Sequence, residues 1–266
     1  MMTYDSYERL SFSRKGRVLT LAFNVPDKLN AVDARMHHEL AQVFQDIAKD
    51  KETDVVILTG AGKAFSAGGD IGWMQSMLTQ AGGMAMIAPE GRAILHGLLD
   101  LPQPIICRMT GDAIGLGATV ALFCDIIIAD ECARIADPHV RVGLVAGDGG
   151  ALIWPKLVGP ALAKEFLLTG DMLQASRAAQ IGLINRAVPA ADLDQTVQSF
   201  AQKLERGAQQ ATRLTKASVN LALKQQLGSV FESALAYEVI ASTLPDHAEA
   251  VHAFAEGRKP DFSRKF

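Results

Sequence analysis

Residues 101–130, LPQPIICRMTGDAIGLGATVALFCDIIIAD, decide the fold class of this chain. Pro104–Arg108 and Asp125–Ala129 are short apolar runs rich in isoleucine, a composition typical of buried strands. The segment between them, Gly111–Leu122, is rich in glycine and alanine and is interpreted as a tight turn entering a buried helix. The stretch therefore predicts a strand, a turn, a helix and a second strand, which is the alternation of α/β proteins.

The same alternation extends toward the N-terminus. Arg17–Phe23 alternates apolar and polar residues and predicts a strand, and Asp54–Leu58 predicts a short buried one. Between them, Asp33 is placed to cap a helix that runs to about Asp50 and has one apolar face. The first two thirds of the chain are thus predicted to form an α/β fold.

The last third has a different character. From about Ala190 onward strand signals vanish, and amphipathic helical patterns follow one another to Phe254. We therefore predict a core, residues 1–200, followed by a helical C-terminal module, residues 201–266.

The composition excludes several function classes. Of the 266 residues, 49% are hydrophobic and 21% charged, which suits a globular protein with a sizeable core. The net charge of −3 provides no basic stripe, so no nucleic-acid partner is expected. Met1–Arg9 lacks the apolar core of a signal peptide, and no apolar run reaches membrane-spanning length. We therefore expect a cytoplasmic protein with no membrane partner.

Cysteines and histidines give no metal signature. Cys107, Cys124 and Cys132 lie in or beside apolar runs and are expected to be buried thiols. Neither a CxxC pair nor a Cys/His cluster occurs, so no metal is expected. His37 and His38 fall on the predicted helix after Asp33 and are expected at its surface.

Two glycine-rich junctions follow predicted strands: GKAFSAGGDI, residues 62–71, and TGDAIGLGATV, residues 110–120. A strand-to-helix junction exposes unpaired backbone N–H groups, and the helix dipole adds positive potential there. Two such groups that converge on one oxygen make an oxyanion hole. Each junction taken alone is better explained as a turn needed for tight packing.

Ile71–Ala93 is an irregular segment that contains four of the nine methionines, together with glycines and a proline. Methionine is flexible and adapts to irregular apolar shapes. Two interpretations stay open, a mobile lid over an apolar ligand and an irregular loop packed on the core.

Several motifs then occur in a fixed order: PDKLNAV (26–32), LTGAGKAFSAGGDI (58–71), the 101–130 stretch, IADPHVRVGLVAGDGGALIWPKLVG (135–159) and LLTGDMLQASRAAQIGLINRAVP (167–189). In these motifs the sequence closely resembles the crotonase, or enoyl-CoA hydratase/isomerase, superfamily, from about residue 17 to the C-terminus. The resemblance implies a spiral of ββα units with a helical C-terminal module, packed as a homotrimer or a dimer of trimers. It also implies acyl-CoA substrates, with coenzyme A as part of the substrate and no separate cofactor.

The resemblance assigns binding roles to individual residues. Gly69 matches one backbone oxyanion donor and Leu116 the other, or Gly115 or Gly117 if the register of the GLG turn slips. A leucine is acceptable at this position because only its N–H is used.

Coenzyme A contacts are implied at five further residues: Lys28, Leu29, Ala67, Gly68 and Lys259. Ala67 matches a position that contacts the adenine, and Lys28 and Leu29 match a loop along the coenzyme. Lys259 resembles a tail cation near the phosphates, although a solvated charge run explains it equally well.

The sequence departs from the family at the catalytic acids. Enoyl-CoA hydratases of this family carry two glutamates, and their counterparts here are Thr119 and His139. Hydration by two carboxylates is therefore not the expected mechanism.

Asp148, in GLVAGDGG, instead matches a position where some dienoyl-CoA isomerases, aryl-CoA dehalogenases and a β-diketone hydrolase carry a catalytic aspartate. A carboxylate in an apolar pocket has a raised pKa, which suits proton transfer near neutral pH. An Asx turn or a helix cap is the structural alternative. His139 is expected to assist, and its alternative is a histidine satisfied by neighbouring backbone.

These residues predict an acyl-CoA enzyme that stabilises a thioester enolate in a backbone oxyanion hole, with Asp148 as acid and base. Two alternatives remain. One is a retro-Claisen hydrolase that cleaves a C–C bond of a β-diketone, and the other is a catalytically degenerate member that only binds acyl-CoA.

Overall fold

The structure is a computed structural model, and it describes residues 3–263. The prediction drawn from the first nine residues therefore rests partly on Met1 and Met2, which lie outside the described residues. Within residues 3–263, no helix has the length and apolar character needed to cross a membrane.

Strands alternate with helices through the first two thirds of the described chain, as predicted. The strands are β1 (Leu10–Lys15), β2 (Val18–Phe23), β3 (Val55–Gly60), β4 (Ile105–Met109), β5 (Ala113–Ile114), β6 (Ile126–Asp130), β7 (Arg134–Ala136), β8 (Leu173–Gln174) and β9 (Arg186–Val188). Six of them form one sheet in the order β1-β2-β3-β4-β6-β9, and the other three form a small sheet in the order β5-β7-β8. All four predicted strands are confirmed within two residues as β2, β3, β4 and β6.

The larger sheet is parallel except at its edge. β1 pairs antiparallel with β2, whereas β2, β3, β4, β6 and β9 run parallel to one another. Parallel strands have their carboxyl ends at one edge of the sheet, so the turns after β3 and β4 emerge on the same side. Those turns carry the two glycine-rich junctions.

Helices follow or separate the strands and make up the C-terminal third of the described chain. They are α1 (Ala34–Lys49), α2 (Ile71–Thr79), α3 (Ala88–Asp100), α4 (Leu116–Leu122), α5 (Gly150–Thr169, kinked at Gly159), α6 (Ala175–Gln180), α7 (Ala190–Glu205), α8 (Gln209–Gln226), α9 (Glu232–Ala241) and α10 (Pro245–Ala255). α1 begins after Asp33, whose side chain accepts a hydrogen bond from the Met36 N–H, so the predicted cap is confirmed.

The helical character of the C-terminal third is also confirmed, since only helices follow β9 in the described chain. α7 buries Leu193, Val197 and Ala201 against the β3–β4–β6 face of the sheet. The predicted boundary at residue 200 falls inside α7, and the division into two domains stays a prediction.

Two side chains are not where the sequence predicted them. His37 is 5% exposed rather than at the surface, because Glu90 of α3 and Trp73 of α2 cover it. Cys132 is exposed rather than buried, because it lies in the turn between β6 and β7, whereas Cys107 and Cys124 are buried as expected.

The methionine-rich segment is more regular than either interpretation of it supposed. It forms α2, a 3-10 turn at Gly83–Met86 and the first turns of α3. Met74, Met77 and Met84 line a large cavity. The segment thus supplies an apolar wall, and its mobility stays a prediction.

Candidate active site

A cavity of about 1010 Å³ lies at the edge of the core, between the two glycine-rich junctions and the C-terminal helices. Most of its wall is apolar. Among the predicted site residues, the following line it: Lys28, Ala67, Gly68, Gly69, Leu116, His139, Asp148 and Lys259. The structure therefore brings residues from four of the five sequence motifs, and one from the C-terminal tail, to one cavity.

The first junction holds Gly69 through a short backbone bridge. Val32 donates a hydrogen bond to the Gly68 carbonyl (2.7 Å), and its own carbonyl accepts one from the Asp70 N–H (2.9 Å). These bonds leave the Gly69 N–H without an acceptor among the described residues. Asp70 caps α2 by accepting from the Trp73 N–H at 2.9 Å, which fixes the loop at its far end.

The second junction is built on Gly115, which has a φ of +52° and lets β5 turn abruptly into α4. Its N–H donates to the Ala136 carbonyl at 2.9 Å. Leu116 is the first residue of α4, and within the described chain its N–H has no acceptor, as expected for a helix start.

The two junctions are adjacent because Ile114 donates to the Ser66 carbonyl at 2.9 Å. We call the Gly69 and Leu116 N–H groups the backbone donor pair.

Asp148 lies in the turn before α5, with its side chain 13% exposed. One carboxylate oxygen, Oδ1, accepts from the Thr119 hydroxyl (2.9 Å) and from the Gly150 N–H (3.3 Å). The other oxygen, Oδ2, has no hydrogen-bond partner among the described residues. Thr119 itself is fully buried behind Asp148, so it positions the carboxylate rather than facing the cavity.

His139 begins a 3-10 turn on the opposite side of this carboxylate. Its Nε2 atom lies 3.6 Å from Asp148 Oδ2 and 3.7 Å from Oε1 of Glu238, a residue of α9. Its Nδ1 atom is hydrogen-bonded to Asp137, which is fully buried. We call Asp137, His139, Asp148 and Glu238 the imidazole–carboxylate cluster.

Asp137 and Glu238 are functional candidates that the sequence did not reveal. Asp137 precedes His139 by two residues in IADPHV, and that proximity was a usable signal. Glu238 lies about 100 residues away in a helix with no motif, and only the folded chain brings it to His139.

Gly147 lets the Asp148 turn and α9 approach each other. A Cβ atom at Gly147 would lie 2.5 Å from the Ala234 carbonyl oxygen and 2.6 Å from Cβ of Glu238. No side chain fits there without a shift of backbone.

Burial and crowded charge shift the pKa values in the cluster. Burial raises the pKa of Glu238 to about 8. It also raises the pKa of Asp148, and the nearby His139 offsets only part of this effect. For His139, burial lowers the pKa, but the charges of Asp137 and Asp148 outweigh burial, and the net pKa lies well above its usual value. A carboxyl whose pKa lies near neutral pH, as that of Glu238 does, makes the cluster a candidate for proton transfer.

Ligand atoms of Asp137, His139 and Asp148 lie within 4.8 Å of one another, a spacing that could hold a metal ion. Asp137 bonds Nδ1 of the imidazole, whereas Asp148 lies beside Nε2. A single metal ion would bind only one nitrogen of the His139 ring. A proton, in contrast, can be exchanged with a carboxylate at either nitrogen. The absence of a metal stays a prediction.

The predicted coenzyme contacts divide between two neighbouring cavities. Lys28 lines the large cavity and pairs with Asp70 (Nζ to Oδ2, 2.9 Å). Leu29 borders a second cavity of about 540 Å³, which it shares with Ala67. Ala67 therefore joins the two spaces.

Comparison with known proteins finds a matching family model and similar proteins of that family. The family model described as enoyl-CoA hydratase/isomerase matches residues 13–265. A short-chain-enoyl-CoA hydratase from Clostridium acetobutylicum is 35% identical over 92% of this chain and 94% of its own. A 1,2-epoxyphenylacetyl-CoA isomerase from Escherichia coli is 32% identical over 96% and 98%.

Among solved structures, an enoyl-CoA hydratase/isomerase from Mycobacterium paratuberculosis superposes with a TM-score of 0.87 at 34% identity. The match covers 94% of this chain and 99% of that one. The predicted fold, an α/β crotonase-like spiral with a helical C-terminal region, is thereby confirmed.

Proposed function

The chain belongs to the enoyl-CoA hydratase/isomerase family of the crotonase superfamily, and from this premise we propose that it shifts protons on the acyl group of a coenzyme A thioester. Its acyl-CoA chemistry follows from the family. The proposal concerns which groups carry out the reaction. The observation that carries it is the Asp148 carboxylate, which lines an apolar cavity with one oxygen held by Thr119 and the other without a hydrogen bond.

The backbone donor pair supports the first part of the mechanism. The thioester oxygen accepts hydrogen bonds from the Gly69 and Leu116 N–H groups, and these strengthen as negative charge grows on that oxygen. The apolar wall excludes water and so strengthens both bonds.

Asp148 supports the second part. In a double-bond isomerisation, Asp148 removes a proton from the acyl chain, and the electron pair moves onto the thioester oxygen as an enolate forms. The same proton then returns to a different carbon. This reaction needs one proton shuttle and no activated water, which suits a chain with Thr119 and His139 in place of two glutamates.

A second candidate is favoured by the 3.6 Å separation of His139 Nε2 and Asp148 Oδ2. An imidazole beside a carboxylate can activate water, and water attack on one carbonyl of a β-dicarbonyl compound cleaves the C–C bond between the carbonyls. The enolate that leaves takes up a proton and would bind the same backbone donor pair.

A screen of enoyl-, dienoyl- and β-ketoacyl-CoA thioesters, with one cyclic β-diketone free of coenzyme A, separates these functions. Isomerisation of an enoyl or dienoyl thioester is the expected result. Turnover of the diketone alone would favour the C–C hydrolase. Tight binding of thioesters by titration calorimetry without turnover of any compound would identify a degenerate acyl-CoA-binding member.

We further propose that the protein assembles as a homotrimer or a dimer of trimers through its helical module. The module exposes large apolar side chains that a monomer would leave in water: Leu214, Val219, Leu221, Tyr237, Ile240 and Phe254. Light scattering at micromolar concentration should give three or six times 28.4 kDa. A monomeric mass would contradict the proposal.

Catalysis without a metal is also part of the proposal. Treatment with EDTA should leave turnover unchanged, because protons and backbone N–H groups suffice for the reaction. Loss of activity that a divalent metal restores would instead assign a metal to Asp137, His139 and Asp148.

A further inference from the structure

His37, on α1, places a polar ring in the apolar wall of the large cavity. The neighbouring lining is formed by Trp73, Met77 and Ala88, and the His37 ring packs on Trp73 with 5.3 Å between centroids. Burying a polar group in such a wall costs free energy unless the group has hydrogen-bond partners.

One side of the His37 ring is fixed by Glu90. Its Nδ1 atom lies 2.6 Å from Oε2 of Glu90, and the hydrogen bond from His37 keeps the pKa of this carboxyl below its usual value. An ionised carboxylate only accepts hydrogen bonds, so Nδ1 carries the proton and donates it. In the neutral ring, Nε2 is therefore an acceptor.

The neighbouring His38 shows what a fully satisfied histidine looks like in this helix. Its Nδ1 lies 2.7 Å from Oε1 of the same Glu90, and its Nε2 lies 2.9 Å from Nε2 of Gln42. By contrast, the side-chain hydrogen bond that His37 makes within the described chain uses Nδ1, and its Nε2 has no such bond. His37 thus offers an oriented, unused acceptor next to the cavity, whereas His38 is half exposed and lies outside it.

The position of His37 relates this acceptor to the reacting carbonyl. α1 starts two residues after Val32, which bridges to Gly69. His37 lies in the first turn of α1, five residues beyond Val32. Gly69 and His37 both line the large cavity, so an acyl chain bound at Gly69 and directed along the α2–α3 wall shares this space with His37.

We propose that His37 is a specificity-determining residue that accepts a hydrogen bond from a hydroxyl group on the acyl chain of the substrate. Glu90 sets the tautomer that makes Nε2 an acceptor, and Trp73 fixes the plane of the ring. The preferred substrates are thus hydroxylated acyl thioesters rather than plain alkyl ones. The inference rests on the proposed function only in taking the cavity as the acyl site.

The test uses pairs of acyl-CoA thioesters that differ by one hydroxyl, placed at successive carbons beyond the α-carbon. The full-length protein should show a kcat/KM about tenfold higher for one hydroxylated member than for its alkyl partner, the value of about one net hydrogen bond. His37→Phe should reduce this ratio to about one. The matched control His38→Ala, which removes the other imidazole on Glu90, should keep the preference.

Two further measurements keep the outcome decisive. If His37→Phe does not fold, Glu90→Gln, which leaves the ring in place but no longer dictates its tautomer, should lower the ratio. If no thioester is turned over, the proposed function fails, and the ratio of dissociation constants of the same pairs tests His37 by itself. Equal values for every pair, or a preference that survives His37→Phe, would show that Nε2 binds only water.

Discussion

The backbone donor pair and the imidazole–carboxylate cluster face the same cavity, but the chain builds them in opposite ways. Gly69 and Leu116 each come from one continuous motif and present only a backbone N–H. The cluster needs four specific side chains, of which three lie within residues 137–148 and the fourth, Glu238, is supplied by the distant helix α9. The donor pair is thus a property of local turns, whereas the cluster is a property of the tertiary structure.

The difference separates binding from reactivity. In the proposed function the backbone donor pair holds the thioester oxygen, so this pair bears on the class of substrate. The outcome of the reaction depends on where protons reside, and here that depends on burial and on the spacing of charged groups. Mutations at the two regions should therefore affect different measured quantities.

The largest effect on activity is expected from replacing Asp148. Asp148→Asn keeps the size of the side chain and its bond from Thr119 but removes the base, so kcat should fall by about 10²–10⁴-fold on the best substrate. Binding of an acyl-CoA, measured by calorimetry, should change little because the donor pair is intact. Asp192→Asn, at an exposed position of α7, is the charge-matched control.

A contrary result would identify a different base. If Asp148→Asn keeps near-full activity and His139→Ala loses it, the base is the His139 imidazole rather than Asp148.

The donor pair can be broken without touching the cluster. Leu116→Pro removes one N–H at the first position of α4, where proline is tolerated, and should lower kcat by about 10²–10³-fold. Leu116→Ala shortens the side chain but keeps the N–H, so single-turnover rates of the two variants isolate the donor. Equal losses in both would mean that the leucine side chain, rather than its N–H, matters.

The third prediction concerns the stability of the folded protein, which the imidazole–carboxylate cluster should lower as pH rises. The pKa of Glu238 is raised to about 8 in the folded protein, so the folded state keeps a proton that the unfolded chain loses above its ordinary pKa of 4.5. The free energy of unfolding should therefore fall between about pH 5 and pH 8, by on the order of a few kcal/mol. Glu238→Gln should flatten this dependence in urea titrations.

Glu232, on the same helix, provides a control of opposite sign. Arg92 lowers the pKa of Glu232, so its contribution to stability is lost only as pH falls below the ordinary range of a glutamate. Glu232→Gln should alter the acid side of the stability profile alone. A slope between pH 5 and pH 8 that persists in Glu238→Gln would show that other groups carry it.

The smallest effect is expected where the two regions meet, at Thr119. Thr119→Val keeps the buried volume but removes a hydrogen bond that lowers the pKa of Asp148. That pKa should rise further, which moves the acid limb of the kcat profile to higher pH and costs less than tenfold at pH 7. An unchanged profile would show that the bond does not tune Asp148.

Most of the fold could be predicted because it is encoded locally. The Asp33 cap, the apolar runs of β3, β4 and β6, and the turn into α4 each follow from a few adjacent residues. β1 was missed although LSFSRK alternates, because its outer face contains serine and charge that resemble a loop. The short strands of the small sheet have only two or three residues and leave too weak a pattern to detect.

The site was predictable only as far as motifs reach. Gly69, Leu116, Asp148 and His139 come from recognisable segments and meet at the cavity. Glu238 was missed because helical periodicity does not reveal that a glutamate is buried against a partner 99 residues away. The burial of His37 was missed for the same reason, since α3 brings Glu90 over a face of α1 that looks polar in sequence.

Gly147 has a consequence for how the chemistry of this scaffold could change. A Cβ at this position would collide with Ala234 and Glu238. The distance between Asp148 and Glu238 therefore depends on residue 147 having no side chain. Position 147 acts as a spacer. An alanine there would lift α9 away from the turn and loosen the electrostatic link between the two acids, while every group that carries a proton stayed in the sequence. One carbon atom, added outside the cavity, would thus retune the acidity of the site.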